Sequence, residues 1–169
     1  MNKLLYLLLF CLIINLGCNK DPNILFDFKY DQNITIPAGL SYLDTHYFRF
    51  NDVQTNYKTL LQAHGYTAAQ IKQIEPGSAF ILSLDNGNMF DFIQEISIKI
   101  SSTDTFIKEA FYTIEVPLNA SDRLDMVGTL VELKDILDQD RFNIEVGFKL
   151  RANSPSTIDA RFTMKFLAK

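Results

Sequence analysis

The chain has 169 residues, a net charge of −4 and a hydrophobic share of 47%, a composition typical of one globular domain with a sizeable core. The acidic balance argues against the basic surface that nucleic-acid binding requires, so no nucleic-acid partner is expected. The chain holds 14 Phe and 7 Tyr but no Trp, and this aromatic content is typical of a packed rather than a disordered chain.

An apolar segment follows the first three residues. Lys3 gives the start a positive charge, and residues 4–16 are apolar except for Asn15. As a helix this segment would be about 20 Å long, which is short for the roughly 30 Å hydrocarbon core of a bilayer. Its length instead suits the apolar region of a secretory signal peptide. The chain has two cysteines, Cys11 within the segment and Cys18 just after it.

Gly17 and Cys18 close this segment, and the polar residues NKDP follow directly. The pattern resembles a bacterial lipoprotein signal, in which a small residue precedes the cysteine that becomes the first residue of the mature protein. Asn15 departs from the usual leucine, a change that the looser lipoboxes of Bacteroidota tolerate. The resemblance ends near residue 20; it implies that residues 1–17 are removed and that Cys18 carries lipid on its sulfur and amine. Several acyl chains anchor a protein stably, at about 0.8 kcal/mol per buried methylene.

We therefore expect a signal peptide over 1–17, a tether over 18–23 and a single domain over 24–169. The expected location is the cell envelope, as an outer membrane lipoprotein that faces either the periplasm or the exterior. An ordinary signal peptide with an incidental cysteine and an uncleaved anchor stay open as alternatives. With Cys18 acylated and Cys11 removed, no thiol is left for a disulfide, so packing alone has to stabilise the domain.

Alternating apolar and polar residues predict short strands along most of the domain. The clearest alternation lies in 141–151 and 158–166, which we predict to pair as a long antiparallel hairpin. Seven or eight one-sided strands, mostly connected in sequence, predict an antiparallel two-sheet β-sandwich of the Ig-like or a related type. The predicted strand segments are 24–31, 33–37, 45–53, 79–84, 89–101, 110–116, 124–130, 141–151 and 158–166.

Two short helices are predicted in an insert around 56–74, where the apolar period lengthens. The first ends near His64, ahead of a glycine. Thr67 and Gln70 have the spacing of a capping box that would begin the second. We expect the insert to cover an open end or edge of the sandwich. A further short helix is predicted over 131–139.

Residues that could carry catalysis are few and scattered. His46 and His64 lie on different predicted elements, without an HExxH or HxH pattern, so no zinc site is expected. The sequence has no GxSxG elbow and no glycine loop for phosphate. We expect no enzyme activity, no cofactor and no metal. A small secreted or envelope hydrolase stays open, because the paired carboxylates of glycosidases have a spatial rather than a sequential spacing.

Two acidic groups have more than one interpretation. The loop from Asp85 to Asp91 places oxygen ligands around a glycine, as calcium loops do. Its Asn-Gly step also favours a tight hairpin turn, which is the favoured interpretation, while calcium binding stays open. Asp135, Asp138 and Asp140 are interpreted as a solvated helix end followed by a turn.

Three aromatic residues are predicted on outward faces or in loops: Tyr42, Tyr47 and Phe111. A contiguous group of them would mark an interface. We expect a non-catalytic binding or structural accessory module of the envelope, held to the membrane by the lipid on Cys18. Its partner would be an envelope protein or a polysaccharide. The alternatives are the hydrolase and a polysaccharide-binding surface module.

Overall fold

The computed structural model describes residues 23–85, 89–102 and 107–169, which form a mainly β fold. The predicted signal peptide and Cys18 lie outside the described residues. The helix predicted over 131–139 forms but is shorter, over Lys134–Leu137. The strands are β1 (Phe26–Ile36), β2 (Thr45–Gln54), β3 (Ile74–Ser83), β4 (Ile93–Ser101), β5 (Ile107–Thr113), β6 (Arg123–Gly128), β7 (Arg141–Leu150) and β8 (Ile158–Ala168), and the helices are α1 (Tyr57–His64) and α2 (Lys134–Leu137).

All eight of these strands belong to one antiparallel sheet, curled into a half-barrel, with the order β1-β8-β3-β6-β5-β4-β7-β2. The first strand pairs with the eighth, the second with the seventh, the third with the sixth and the fourth with the fifth. These are the pairings of one long hairpin wound on itself, as in a double Greek key. They leave β1 and β2 as the two edges of the sheet.

The predicted two-sheet sandwich is not confirmed. β5 and β6 pair through Phe111 with Gly128 and Tyr112 with Val127, and this short contact joins the two four-stranded halves into one sheet. The expectation of mostly sequential connections is wrong, because only β4–β5 and β5–β6 join consecutive strands. Alternation shows which face of a strand is buried, but it does not identify the strand that lies beside it.

β7 and β8, the strands of the predicted hairpin, do not pair with each other. β7 lies between β2 and β4, whereas β8 lies between β1 and β3. The two strands meet through their side chains instead, with the ring centroids of Phe148 and Phe162 6.1 Å apart. Their predicted alternation is confirmed, since every second residue of both strands is buried.

The core lies on the inner face of the curl and is rich in aromatic rings. Phe166 of β8 is fully buried. Its ring centroid lies 5.6 Å from that of Phe28, 5.8 Å from that of Tyr30 and 5.5 Å from that of Phe111. Burial of one such ring contributes about 1.5–3 kcal/mol. These contacts link β8 to the edge strand β1 and to β5 in the other half of the sheet.

Of the two helices predicted in the insert, α1 forms and the second does not. The Thr67 N–H donates to Gln70 Oε1 at 2.8 Å, so one bond of the predicted capping box is present. Residues 66–73 nevertheless form a turn and irregular backbone. The Gln73 N–H donates to the Lys169 carbonyl at 3.0 Å, and the Lys169 N–H donates back to the Gln73 carbonyl at 2.8 Å. This pairing beside the end of β8 takes the backbone groups that a helix would need.

The strand directions define two ends of the molecule. The end where β1 begins carries α1, whose last residue, His64, stacks on Phe26 with ring centroids 4.6 Å apart; we call it the α1 end. The opposite end, called the far end, carries the starts of β2 and β4 and the ends of β5 and β7. Asn23, the first described residue, lies directly ahead of β1 at the α1 end.

Candidate binding groove

A groove of about 610 Å³ lies on the outer face of β2, β7, β4 and β5, toward the far end. Two rows of residues in register across these strands form most of its lining. The first row is Tyr47, Gly147, Ser97 and Tyr112, and the second row is Thr45, Lys149 and Glu95, with Ile114 beside it.

The first row places an aromatic side chain at each side of a small polar floor. Tyr47 pairs with Gly147, Gly147 with Ser97, and Ser97 with Tyr112. Neighbouring strands are about 4.8 Å apart, so the backbones of the two tyrosines are separated by about 14 Å. The two residues between them carry almost no side chain. The groove is therefore a depression between two tyrosines.

Gly147 makes close approach possible at the centre of this row. A Cβ atom at this position would lie 3.0 Å from Ser97 Oγ and 3.2 Å from Tyr47 Cε1. The Tyr47 ring therefore rests against the β7 backbone, where any side chain would displace it. Tyr47 still has 54% of its surface exposed. The glycine thus leaves room for the exposed Tyr47 ring to line the groove directly above the β7 backbone.

The second row adds charges that neutralise each other. Lys149 Nζ and Glu95 Oε1 lie 2.9 Å apart. Both side chains are substantially exposed, so the pair adds little to stability. Ile114 follows the last residue of β5 and is 63% exposed, which gives this end of the groove an apolar border.

Four hydroxyl groups in the lining are free to bind a ligand. The hydroxyls of Tyr47, Tyr112, Ser97 and Thr45 have no hydrogen-bond partner among the described residues. Thr113, by contrast, donates its hydroxyl to the Asp125 carbonyl at 2.8 Å. Exposed hydroxyls bind water, and a ligand that offers its own donors and acceptors can replace that water at little cost.

A β-bulge turns Tyr112 into the groove and Phe111 into the core. Ile98 pairs with Phe111 and the next residue, Lys99, pairs with Glu109, so Ala110 is the extra residue on β5. Ala110 and Phe111 are both buried as a result. The predicted outward position of Phe111 is therefore wrong, because the bulge breaks the alternation. Sequence analysis missed Tyr112 for the same reason, and neither glycine nor proline marks the bulge.

The predicted aromatic group is not contiguous. Tyr42 and Tyr47 are exposed as predicted, at 53% and 54%. Tyr42 lies in the loop between β1 and β2, where its N–H donates to Asn153 Oδ1 at 3.1 Å. Phe111 lies in the core. Only Tyr47 of the three lines the groove.

The two histidines lie at opposite ends of the molecule. His46, at the start of β2, donates from Nε2 to the Ser41 carbonyl at 2.7 Å. His64 stacks on Phe26 at the α1 end. Across residues 23–85, 89–102 and 107–169, no three His, Cys, Asp or Glu side chains come together as a metal site.

The loop from Asp85 to Asp91 is described only in part. The Asp85 carboxylate accepts a hydrogen bond from the Asp159 N–H at 2.9 Å. Residues 86–88, which hold the glycine of the predicted turn or calcium loop, lie outside the described residues. That prediction therefore stays a prediction.

The second acidic group separates into independent ion pairs. Asp135 binds Lys108 at 2.7 Å, and Asp140 binds Lys58 at 2.8 Å. The hydrogen bond from Lys58 holds the pKa of the exposed Asp140 carboxyl below its usual range. Asp138 makes no ion pair with a described residue. Each acid therefore faces solvent or its own lysine rather than a common centre.

Two further observations concern the whole chain. In the part of the chain that the structure describes, neither helix has the length and apolar character needed to cross a bilayer. Neither a protein-family model nor a curated protein matches the sequence.

A solved structure similar to this chain is the crystal structure of tomato aspermy virus. The TM-score is 0.34 at 6% identity, and the alignment covers 95% of this chain and 93% of that chain. A TM-score this low supports no inference about fold or function, so the functional argument depends on the residues of the chain itself.

Proposed function

We propose that the protein is a non-catalytic binding module of the bacterial cell envelope, anchored to the outer membrane through acylated Cys18. The observation that supports this proposal is that Asn23, directly ahead of β1, lies at the α1 end, whereas the groove lies toward the far end. The five Cα–Cα steps from Cys18 to Asn23 span at most about 18 Å. A lipid on Cys18 would hold the α1 end beside the bilayer and present the groove away from it.

The lining of the groove supports binding rather than catalysis. Its polar groups are hydroxyls, one ion pair between Lys149 and Glu95, and the Glu109 carboxylate. No histidine lies among the described residues that line the groove. The Ser97 and Thr45 hydroxyls therefore lack the general base that usually activates a nucleophile of this type.

We also propose that the two halves of the curled sheet pack on each other as the layers of a jelly-roll sandwich. Ring contacts between the halves support this arrangement: Tyr30 of β1 lies 5.2 Å from Phe142 of β7, and Phe111 of β5 lies 5.5 Å from Phe166 of β8. Experimental coordinates test it, since two such layers would lie about 10 Å apart over their full length.

Membrane fractionation of matched cysteine variants tests the anchor. Cys18→Ala removes the acylation position, whereas Cys11→Ala changes a thiol inside the segment that would be discarded. We expect the wild type and Cys11→Ala to be membrane-bound, with a mature mass that corresponds to a lipidated chain beginning at Cys18. Cys18→Ala should lose both properties.

If Cys18→Ala fractionates and migrates as the wild type does, the lipid anchor is wrong.

A second experiment, protease treatment of intact cells, distinguishes the two orientations of the anchored wild-type protein. Cleavage of the domain indicates surface display, and protection until the outer membrane is opened indicates a periplasmic domain.

A further inference from the structure

We infer that the groove on β2, β7, β4 and β5 is a binding site for a neutral polysaccharide chain. The inference names the ligand class of the same groove and rests on the binding role proposed above. Three properties of the lining lead to it: the spacing of two tyrosines, the free hydroxyls between them, and the pairing of the charges.

Tyr47 and Tyr112 present aromatic surface at both sides of the floor formed by Gly147 and Ser97. The faces of aromatic rings are apolar, while the tyrosine hydroxyl remains a hydrogen-bonding group. A sugar ring has the same dual character, with C–H groups on its faces and hydroxyls at its edge. With about 14 Å between the backbones of the tyrosines, the groove suits a chain of several sugars better than a single one.

The free hydroxyls match the edge of such a chain. Ser97 and Thr45 lie in adjacent rows of the groove, and both hydroxyls are without a partner among the described residues. Each hydroxyl both donates and accepts, as do the hydroxyls of a sugar. A ligand that only accepts or only donates hydrogen bonds would leave part of the hydrogen-bonding ability of these hydroxyls unused.

The charges exclude a strongly charged polymer. Lys149 is paired with Glu95 at 2.9 Å, and Arg49 in the next row but one is paired with Glu145 at 2.7 Å. Lys99 lies in register between two acidic residues. Every cation on this part of the face therefore has an acidic neighbour. A polyanion would have to compete with these carboxylates, and the isolated acids are too few to recruit a polycation.

A protein partner fits the floor less well than a polysaccharide. Binding energy between proteins concentrates in large apolar or aromatic anchors that fill desolvated pockets. The floor here consists of Gly147 and Ser97, which offer neither an apolar pocket nor a buried surface for an anchor. A hydroxyl-rich chain that lies along the groove needs no such pocket.

Affinity electrophoresis of the lipidated mature protein tests the inference, in a detergent whose head group is not a sugar. The probes are four neutral polysaccharides (dextran, mannan, xylan and a β-glucan) and two acidic ones (polygalacturonate and hyaluronate). Tyr112→Ala removes one ring of the groove, and Tyr112→Phe removes only its hydroxyl. Tyr42→Ala is the control, because Tyr42 is an exposed tyrosine that lies outside the groove.

We expect at least one neutral polysaccharide to retard the wild type. Tyr112→Ala should weaken that binding about three- to tenfold, the range that one aromatic contact provides. Tyr112→Phe should keep most of it, and Tyr42→Ala should bind as the wild type does. If Tyr112→Ala fails to fold, as a thermal melt would show, Ser97→Ala replaces it, with a smaller loss of binding expected.

Retardation by the acidic polysaccharides alone, by none of the six, or equally in Tyr112→Ala and Tyr42→Ala would overturn the inference. These results are separable from a failure of the proposed function. If the Cys18 variants behave as expected but no neutral polysaccharide binds, the anchor stands and the ligand class is wrong. If a polysaccharide binds and its reducing ends then accumulate, the ligand class stands and the non-catalytic role is wrong.

Discussion

Gly128 is the position where a single methyl group should disturb the sheet most directly. It is the last residue of β6, beside β3 and opposite Phe111 of β5. A Cβ atom there would lie 2.7 Å from the Pro76 carbonyl oxygen and 2.9 Å from that of Gly77. Both atoms belong to the backbone of β3, next to its own bulge. A rotation of a side chain cannot relieve this contact, so β3 and β6 have to separate.

The loss of stability in Gly128→Ala can be estimated from the cost of overpacking in other proteins. Forced backbone shifts in packed proteins cost about 1–3 kcal/mol. For a domain of this size, 1 kcal/mol corresponds to about 2–4 °C in Tm, so we expect Gly128→Ala to lower Tm by roughly 2–12 °C. The effect should lie toward the upper end, because both contacts are with backbone atoms of β3 and both are shorter than 3.0 Å.

Gly147→Ala is the matched control. It makes the same change in a strand of the same sheet, but the new Cβ would meet the ends of two side chains, Ser97 Oγ at 3.0 Å and Tyr47 Cε1 at 3.2 Å. Both side chains can move toward solvent, and loss of a glycine restricts the unfolded chain by about 0.4–1 kcal/mol. Its Tm should stay within about 2 °C of the wild type. If thermal and urea unfolding show that Gly128→Ala is as stable as Gly147→Ala or more stable, the steric argument for the β3–β6 contact is wrong.

Three further substitutions should change stability in different ways. Tyr30 donates its buried hydroxyl to the Thr55 carbonyl, and that burial raises the pKa of Tyr30; Tyr30→Phe should cost about 1–3 kcal/mol of unfolding free energy. Tyr57→Phe should be neutral or stabilising in the same urea titration, since its buried hydroxyl has no partner among the described residues; an equal loss in both variants would contradict this. The hydrogen bond from Lys165 lowers the pKa of Asp27 in the folded protein. The ion pair therefore stabilises the fold above the ordinary carboxyl pKa, and this stabilisation is lost as the pH falls through the pKa of Asp27 in the folded state. Asp27→Asn should therefore cost up to about 0.5 kcal/mol at pH 7 and almost nothing near pH 2.5; a cost that does not change between these pH values would show that the ion pair contributes nothing.

The faces of the strands were determined by the sequence. Alternation in 141–151 and 158–166 identified the buried face of β7 and β8 except for Gly147, which was predicted to face outward, and Ala168, which lies beyond the predicted segment. Burial on one face of a pleated strand leaves a period of two in the chain. The sequence predicted two strands over 24–31 and 33–37, whereas the structure has the single strand β1 over Phe26–Ile36. Of the groove, alternation identified Tyr47 as an exposed ring, and the number of alternating segments correctly indicated a mainly β fold.

The neighbours of those strands were decided by the tertiary structure. Each four-stranded half of the sheet pairs strands that are far apart in sequence, as β1 with β8 and β2 with β7. No local sequence pattern identifies such a distant partner. The bulge at Ala110 depends on how β4 meets β5, and it exchanged the faces of Phe111 and Tyr112. The groove exists because Tyr112, which the bulge turns outward, lies in register with Ser97 and Gly147 across neighbouring strands. Register across a sheet is a property of the pairing, so only the folded chain could bring these residues into one site.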